Sequence, residues 1–433
     1  MRARGEAGER ETTIQWLKAR LRGDSLLHRI VPLGVVEIIA WGTTFYSLGV
    51  LGNPIAADTG WSRSVVFAGI SVGLLVSSAL SSWAGRAIDD KGGRFVMALG
   101  ACAAAAGHIG LALASTEAAY LAAWTLIGAA MRLTLYDAAF AALVQVAPRG
   151  RGRRAISYLT LFGGFASSLF WPIGHALAGL VGWRMALGIY AALDLAVCLP
   201  LILLALAPSA TKQPAEIDSA PSAAAHLEPE APHSHLEGRA RNGALLLFGT
   251  AMSLNAFVWG AVMAHIVVLL QSTGVPAATA VAVSALMGVS QVAARVWDTF
   301  IARGISALVL GRIAVALLPL AVLVLFVDLP PLLRAVAFAV LLGLSNGLVT
   351  IVRGAVPLAL FGSRGFGALL GTLATPQLFM NAIAPMLFAA FVELAGLAAG
   401  EIALLIGAIA SALVMEATIR WSNSHLRTRH PAP

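Results

Sequence analysis

Long apolar runs alternate with short polar segments along almost the whole chain, and this alternation predicts its elements. An α-helix needs about 20 apolar residues to cross the hydrocarbon core of a bilayer. Period-two alternation is absent and lipid leaves no partner for unpaired backbone groups, so the runs are predicted to be helices and not barrel strands. We predict twelve spans, at 30–53, 65–87, 95–114, 118–146, 156–180, 184–207, 243–270, 277–301, 306–327, 332–358, 365–391 and 396–418.

A polar segment divides these spans into two sets of six. Residues 208–241 are rich in Pro, Ala, Ser, His and Glu, a composition typical of a disordered linker. The predicted division is therefore a cytoplasmic tail at 1–29, a first bundle at 30–207, the cytoplasmic linker, a second bundle at 242–418 and a second cytoplasmic tail at 419–433. This layout is typical of two-bundle transporters.

Composition and charge place these spans in a membrane. The chain is 59% hydrophobic and 12% charged, which excludes an ordinary soluble domain. Apart from Arg132, Arg295 and Arg353 within spans, the basic residues concentrate in the segments and span ends that face one side. Only Arg63, Arg184 and Arg334 fall on the other side. Because basic segments stay in the cytoplasm, we predict a multi-pass protein of the inner (plasma) membrane with both termini cytoplasmic. No basic and aromatic cluster suggests a nucleic-acid partner.

No motif indicates a cofactor, a metal site or catalysis. Cys102 and Cys198 lie inside apolar runs, and His226, His233 and His235 of the linker have no cysteine partners. A Gly-x-Ser-x-Gly match at 69–73 lies within an apolar helix with no strand before it, so we treat it as chance. We predict no cofactor, no metal and no enzymatic activity. No ATP-binding motif occurs, so a gradient is expected to supply the energy.

The polar segment between the second and third spans carries a motif. Gly85, Asp89, Gly92 and Arg94 follow the pattern Gly-x-x-x-Asp-x-x-Gly-x-Arg. This pattern resembles the signature loop of the major facilitator superfamily. The resemblance implies an all-α membrane fold with twelve transmembrane helices in two six-helix bundles, in which spans 1, 4, 7 and 10 line a central cavity. It also implies that Asp89 helps to close the inner face by facing a helix N-terminus, such as that of span 11, or an arginine.

Two further segments resemble the monocarboxylate-porter-like branch of that superfamily. Residues 60–63 read Gly-Trp-Ser-Arg, like a turn common in the branch. The branch also has an acidic-x-x-Ala-Arg pattern on its eighth helix, and residues 291–295 match it with Gln291 in place of the acid. The arginine, Arg295, thus loses its titratable partner. Asp298, three residues further on, is a candidate substitute.

Polar side chains inside the spans are the candidates for substrate binding, because ionisable groups in lipid cost several kcal/mol unless they pair or face water. Arg132 lies about 21 Å from the outer end of its span, and an arginine fork suits a carboxylate. For Arg295 and Arg353, the alternative to substrate binding is a structural role, either snorkelling to the interface or a salt bridge in a gate. The predicted substrate-binding set is Arg132, Tyr136, Asn255, Trp259, Arg295, Asn346 and Arg353.

A second set is predicted to couple or gate transport. Glu37 is open as a proton carrier or as a gate partner. His265 is a candidate proton acceptor, with plain packing as the alternative. Three arginines against four acids inside the spans leave no positive surplus, so the anion preference rests on Arg132, Arg295 and the resemblance. The full set is Glu37, Asp89, Arg94, Asp137, His265 and Asp298.

These observations predict a secondary active transporter that moves a small, monocarboxylate-like organic anion by alternating access. Its expected partners are the small-molecule substrate, a proton or a counter-anion, and the lipid bilayer, and we expect a monomer. Two alternatives stay open. One is efflux of a hydrophobic or cationic drug-like compound, which would use acids such as Glu37 and Asp137. The other is a membrane sensor that binds a ligand without transporting it.

Overall fold

The computed structural model describes residues 26–148, 150–207, 235–302 and 304–427. The N-terminal tail up to residue 25, most of the predicted linker and the last six residues lie outside this part of the chain. The predictions made for those segments, including those for His226 and His233, therefore stay predictions.

Within the described ranges, eleven helices are long and apolar enough to cross a membrane. The longest, Gly152–Ala205, contains two spans, because Gly182 has a φ of 80° and a ψ of 160° that break it. The spans described are α1 Leu27–Thr59, α2 Arg63–Lys91, α3 Gly93–Leu113, α4 Glu117–Val146, α5 152–181, α6 183–205, α7 Gly238–Gln271, α8 Ala277–Ile301, α9 Ala307–Phe326, α10 Pro331–Phe361, α11 Phe366–Ala395 and α12 Leu397–Arg427. The predicted all-α fold is confirmed.

Several helices extend beyond the predicted spans. Residues 88–91 were expected in a loop but belong to α2, and Gly92 alone, with a φ of 84°, separates α2 from α3. The tail predicted from residue 419 is helical as far as residue 427. Apolar patterning marks only the part of a helix inside the hydrocarbon core. Helical hydrogen bonding continues into the polar interface, where Lys and Arg are good helix formers.

Helix α4 is interrupted where the sequence predicts a continuous span. Its halves are Glu117–Thr134 and Tyr136–Val146, and Leu135 between them is extended, with a ψ of −179°. Neither Gly nor Pro lies at this break. The Thr134 hydroxyl donates to the carbonyl oxygen of Ala130 at 2.7 Å, and such bonds back to the preceding turn often bend helices.

Helices α1–α6 and α7–α12 form two bundles that meet closely at one face, called here the terminal face because α1 begins and α12 ends there. The Asp89 carboxylate accepts hydrogen bonds from the backbone N–H groups of Gly367 and Ala368 in the first turn of α11, at 3.0 and 2.7 Å. Further along the same pair of helices, the Ser78 hydroxyl donates to the carbonyl oxygen of Thr375 at 2.7 Å. The structure is therefore closed between α2 and α11 at this face.

A substitution at Gly85 tests this closure. A Cβ at position 85 would overlap the backbone carbonyl group of Gly367 across the interface, and backbone cannot move aside without separating the helices. We expect Gly85→Ala to raise the labelling rate of a cysteine placed at Ser78, which is 5% exposed, by several-fold with a membrane-impermeant thiol reagent.

The matched control for this prediction is Gly188→Ala, because among the described residues no atom beyond the neighbouring backbone of its own helix lies within 4 Å of the added Cβ. The control should label at the unsubstituted rate. Equal labelling in the two variants would show that the α2–α11 contact does not limit opening.

Candidate functional site

An ion cluster joins the two bundles near the break in α4. Asp137 Oδ2 accepts hydrogen bonds from Arg132 Nη1 and Arg353 Nη2, each at 2.9 Å. The Arg132 side chain is 2% exposed and that of Asp137 is 11% exposed. Residues five apart do not share a face of a continuous helix, so the extended Leu135 is what lets Arg132 meet Asp137.

This pairing bears on the role of Arg132, the first candidate for the anion contact. Its guanidinium already has a carboxylate partner, and the same carboxylate holds Arg353 of the second bundle. The cluster bridges the bundles and retains a net positive charge. Substrate binding by Arg132 and Arg353 stays a prediction, but their geometry favours a gate.

Arg295 differs from both because, among the described residues, no carboxylate pairs with it. It is 4% exposed. Its Nη2 donates to the Thr350 hydroxyl at 3.3 Å, and its Nε has no hydrogen-bond partner in the described part of the chain. Its Nη1 lies beside Gly164 of α5, and the charge is within electrostatic range of the Tyr46 and Tyr136 hydroxyls. The guanidinium thus lies where helices of both bundles converge.

The predicted partnership of Asp298 with Arg295 is wrong. Asp298 instead accepts a hydrogen bond from the Ser157 hydroxyl at 2.7 Å and lies 3.6 Å from Arg153 Nη2, both on α5. The physical reason is local: α8 becomes π-helical at Trp297–Ile301. The wider turn changes the direction of Asp298, which therefore forms a second polar contact between the bundles.

Glu37 is a buried carboxyl without a cationic partner in the described part of the chain. It is 0% exposed, and Trp41 Nε1 donates to its Oε2 at 3.0 Å, whereas its Oε1 has no hydrogen-bond partner. The Trp41 ring packs 5.2 Å from that of Tyr136, which stacks on Phe140. An unpaired charge in such surroundings is costly, so Glu37 is favoured in its protonated form.

We call Glu37, Trp41, Tyr46, Tyr136 and Arg295 the central site. Its aromatic rings lie between a buried carboxyl and a buried guanidinium, on α1, α4 and α8. The Tyr136 hydroxyl donates to the carbonyl oxygen of Thr160 at 3.2 Å, which fixes its ring. The site combines one charge for an anion, one group that can carry a proton and apolar surface for an organic moiety.

The structure also changes the charge balance read from the sequence. Asp194 is paired with His108 inside the first bundle at 2.8 Å, and Asp298 faces Arg153, so neither acid neutralises the central site. A positive surplus follows at the bundle interface. The ionisable groups there are Arg132, Arg295, Arg353, Asp137 and Glu37.

Other predicted residues lie on α7 and α10 and do not belong to the central site as defined above. Asn255 is buried on α7 and its Nδ2 lacks a hydrogen-bond partner, whereas Trp259 and Asn346 are half-buried. His265 lies inside the second bundle, with Nδ1 3.0 Å from the carbonyl oxygen of Ala261 and its ring 4.9 Å from that of Phe388. That environment favours packing over proton transfer.

At the start of α3, Arg94 is exposed. Sequence reasoning missed Trp41, Tyr46 and His108. Trp41 follows Glu37 by one helical turn, and this spacing is a signal that could have found it. The sequence contains no comparable signal for Tyr46 or His108.

The two-bundle helical fold and its buried ionic interface are those of a secondary-transporter class. The chain matches the Major Facilitator Superfamily over residues 33–385 and belongs to that superfamily. The narrower assignment to the monocarboxylate-porter-like branch stays a prediction. A search of curated proteins gave no match.

Solved structures share the fold at low sequence identity. The human organic anion transporter MFSD10 (TETRAN) has a TM-score of 0.65 at 19% identity, covering 90% of this chain and 99% of its own. The proton:xylose symporter XylE, bound to 6-bromo-6-deoxy-D-glucose, has a TM-score of 0.63 at 13% identity, covering 89% and 94%. The E. coli fucose:proton symporter FucP has a TM-score of 0.62 at 12% identity, covering 91% and 99%.

Removing the shared carboxylate should destabilise the protein more than removing one arginine. Asp137→Asn leaves Arg132 and Arg353 without a counter-charge, and an unpaired buried charge costs about 3–5 kcal/mol. Arg353→Ala leaves the neutral Arg132–Asp137 pair intact. We expect a clearly lower apparent melting temperature for Asp137→Asn than for Arg353→Ala in detergent; the reverse order would argue against a shared counter-ion.

Proposed function

We propose that the chain is a secondary active transporter of a small, monocarboxylate-like organic anion, with Arg295 as the anion ligand. The observation that carries this proposal is a guanidinium that is 4% exposed, has an Nε without a hydrogen-bond partner and pairs with no carboxylate of the described residues. A buried charge without a counter-charge is costly, and a bound ligand of opposite charge would neutralise it. A carboxylate supplies the missing charge and accepts two parallel hydrogen bonds.

The neighbours of Arg295 favour an organic anion over an inorganic one. The Tyr46 and Tyr136 hydroxyls lie within electrostatic range of the guanidinium. The rings of Trp41 and Tyr136, 5.2 Å apart, offer apolar surface nearby. MFSD10, which shares the fold, is described as an organic anion transporter, and this likeness adds modest support for the substrate class.

Transport would proceed by alternating access between the two faces. In the closed terminal face, Asp89 binds the N-terminus of α11, Asp137 bridges the bundles and Asp298 meets α5. Opening this face requires these contacts to separate while α1–α6 and α7–α12 rock about the central site. The distribution of basic residues supports a plasma-membrane location with cytoplasmic termini. In that orientation the structure is closed toward the cytoplasm.

Glu37 is the proposed carrier of a coupling proton. It is buried at the central site and one of its carboxyl oxygens has no hydrogen-bond partner. Protonation removes its charge and so lowers the desolvation cost of burying this carboxyl as the site closes. XylE and FucP are described as proton symporters, which supports a proton as the coupling ion.

One observation favours a second candidate, efflux of a cationic or hydrophobic compound. Glu37 together with the rings of Trp41 and Tyr136 would also suit a cation, through charge and cation–π contact. The two candidates depend on different charged residues. Substitution of Arg295 abolishes anion transport, whereas an effluxed cation requires Glu37.

Uptake into proteoliposomes tests the anion ligand. With a panel of labelled monocarboxylates, we expect Arg295→Ala to reduce uptake at least about a hundredfold, since charge-assisted bonds to a buried arginine contribute roughly 3 kcal/mol or more. Arg295→Lys should restore part of the uptake, because lysine keeps the positive charge but cannot form the two parallel hydrogen bonds of a guanidinium.

The control for this experiment is Arg312→Ala, which removes an exposed ion pair with Glu416. It should transport at the unsubstituted rate. Uptake of a carboxylate that survives in Arg295→Ala would remove Arg295 as the anion ligand. Absence of carboxylate uptake by folded, unsubstituted protein would favour the efflux candidate.

Proton coupling is tested with Glu37→Gln, which preserves size and an acceptor for Trp41 Nε1. We expect this variant to exchange labelled carboxylate across the membrane at equilibrium but to lose accumulation under an inward proton gradient. The measurement compares exchange and gradient-driven uptake in one preparation. Accumulation at the unsubstituted level would show that Glu37 does not carry the proton.

A further inference from the structure

A second buried acid–base pair lies inside the first bundle, away from the central site. His108 on α3 is 0% exposed and Asp194 on α6 is 2% exposed. His108 Nδ1 lies 2.8 Å from Asp194 Oδ2, and His108 Nε2 lies 2.9 Å from the carbonyl oxygen of Thr43 on α1. The pair therefore connects three helices of one bundle.

The hydrogen-bonding capacity of these groups fixes the number of protons that they hold. A carbonyl oxygen can only accept, so His108 Nε2 carries a hydrogen. The contact between Nδ1 and Asp194 then needs a second hydrogen, whether it belongs to the imidazole or to the carboxyl. Without it, two lone pairs would face each other at 2.8 Å in a buried site. In this arrangement the pair holds a proton that can leave only if the contact opens.

Both helices that flank His108 have irregular backbones at the contact. Thr43 lies in the π-helical segment Trp41–Phe45 of α1, and Asp194 begins the π-helical segment Asp194–Cys198 of α6. Single π-turns are rare and often occur at functional sites. Because two π-turns meet at one ionisable pair, we interpret the contact as a functional feature of the bundle.

The π-segment of α1 connects this pair to the central site. Trp41, at its start, donates to Glu37, and Tyr46, directly after its end, lies within electrostatic range of Arg295. The hydrogen bond from His108 to Thr43 holds the middle of that segment. The shared proton thus supports the form of α1 that presents Glu37 and Tyr46 to the substrate.

Few other titratable groups surround the pair in the described residues. The Tyr190 ring of α6 lies 5.9 Å from that of His108. Cys198 of α6 is within electrostatic range of Asp194 and of Glu37 on α1, and α5 contributes the apolar ring of Phe170, 5.9 Å from Tyr190. Within the described ranges, no lysine or arginine pairs with Asp194. His108 is its neutralising partner.

We propose that His108 and Asp194 form a proton-binding site, separate from the substrate site, whose occupied state holds the protein closed at the terminal face. Release of the proton separates the pair, frees the π-segment of α1 and favours opening of that face. The inference extends the proposed function, because it supposes alternation between the two faces. It does not depend on the identity of the transported molecule.

The test measures conformation directly in the full chain reconstituted in nanodiscs. Spin labels at Ala57 and Ala278, exposed positions near the opposite-face ends of α1 and α8, report the separation of the two bundles there. Exposed Cys102 is replaced by serine in all samples. We expect the long-distance population to be dominant at about pH 6 and to fall several-fold toward about pH 9, as the shared proton is lost.

Asp194→Asn is the decisive variant. Its amide donates to His108 Nδ1 and leaves the bond to Thr43 in place, so the contact is kept without a removable proton. The long-distance population should then persist at every pH. Glu416→Gln is the matched control, because it makes the same acid-to-amide change in an exposed ion pair with Arg312, and it should retain the pH response. A response that survives in Asp194→Asn, or that disappears in Glu416→Gln, would overturn the proposal.

Nitrogen-15 NMR of the unsubstituted protein provides a second measurement that needs no folded variant at position 194. With the His108 signals assigned by their loss in His108→Gln, we expect both ring nitrogens to carry or share a hydrogen at about pH 7. A bare Nδ1 at that pH would overturn the proposal. Because neither measurement uses a substrate, failure of carboxylate uptake would leave both results interpretable.

Discussion

The balance of buried charge between the two bundles is the constraint on which the rest of the structure depends. Three arginines reach the interface, and Asp137 pairs with two of them while Arg295 is left without a carboxylate among the described residues. Separating Asp137 from Arg353 is necessary for the bundles to part at this depth. The free energy of that separation therefore contributes to the equilibrium between the two faces. Under the proposed function, an anion bound at Arg295 would change the same balance.

Closure of the terminal face rests on several modest contacts and not on one strong one. Asp89 meets the positive end of a helix dipole, Gly85 lets α2 and α11 approach at backbone distance, and Asp298 receives polar groups from α5. Each contact is of the size that a bound ligand or a proton can offset. The proposed transport cycle requires a face held in this way, one that is stable but opens when modest contacts are offset.

The backbone irregularities place several of the functional side chains. Asp137 follows the break in α4, and Asp194 and Asp298 lie in π-helical turns. The π-segment of α1 begins at Trp41 and ends directly before Tyr46. In a regular helix these residues would point in other directions. Such distortions cost hydrogen-bond geometry and persist because the surrounding packing holds them. Their concentration at ionisable residues links these irregular segments to the proposed transport cycle.

The sequence by itself determined the membrane class, the helical fold and nearly all of the spans, because each apolar run must match the bilayer whatever it packs against. The motif within residues 85–94 also indicated the superfamily without any knowledge of packing. Only the tertiary structure decided which charges neutralise one another. Arg132 and Asp137 meet across a break with no Gly or Pro, Asp298 turns toward Arg153, and His108 binds an aspartate far along the chain. Ion pairs between helices depend on rotation and depth to within about an ångström, and hydrophobic periodicity does not contain that information.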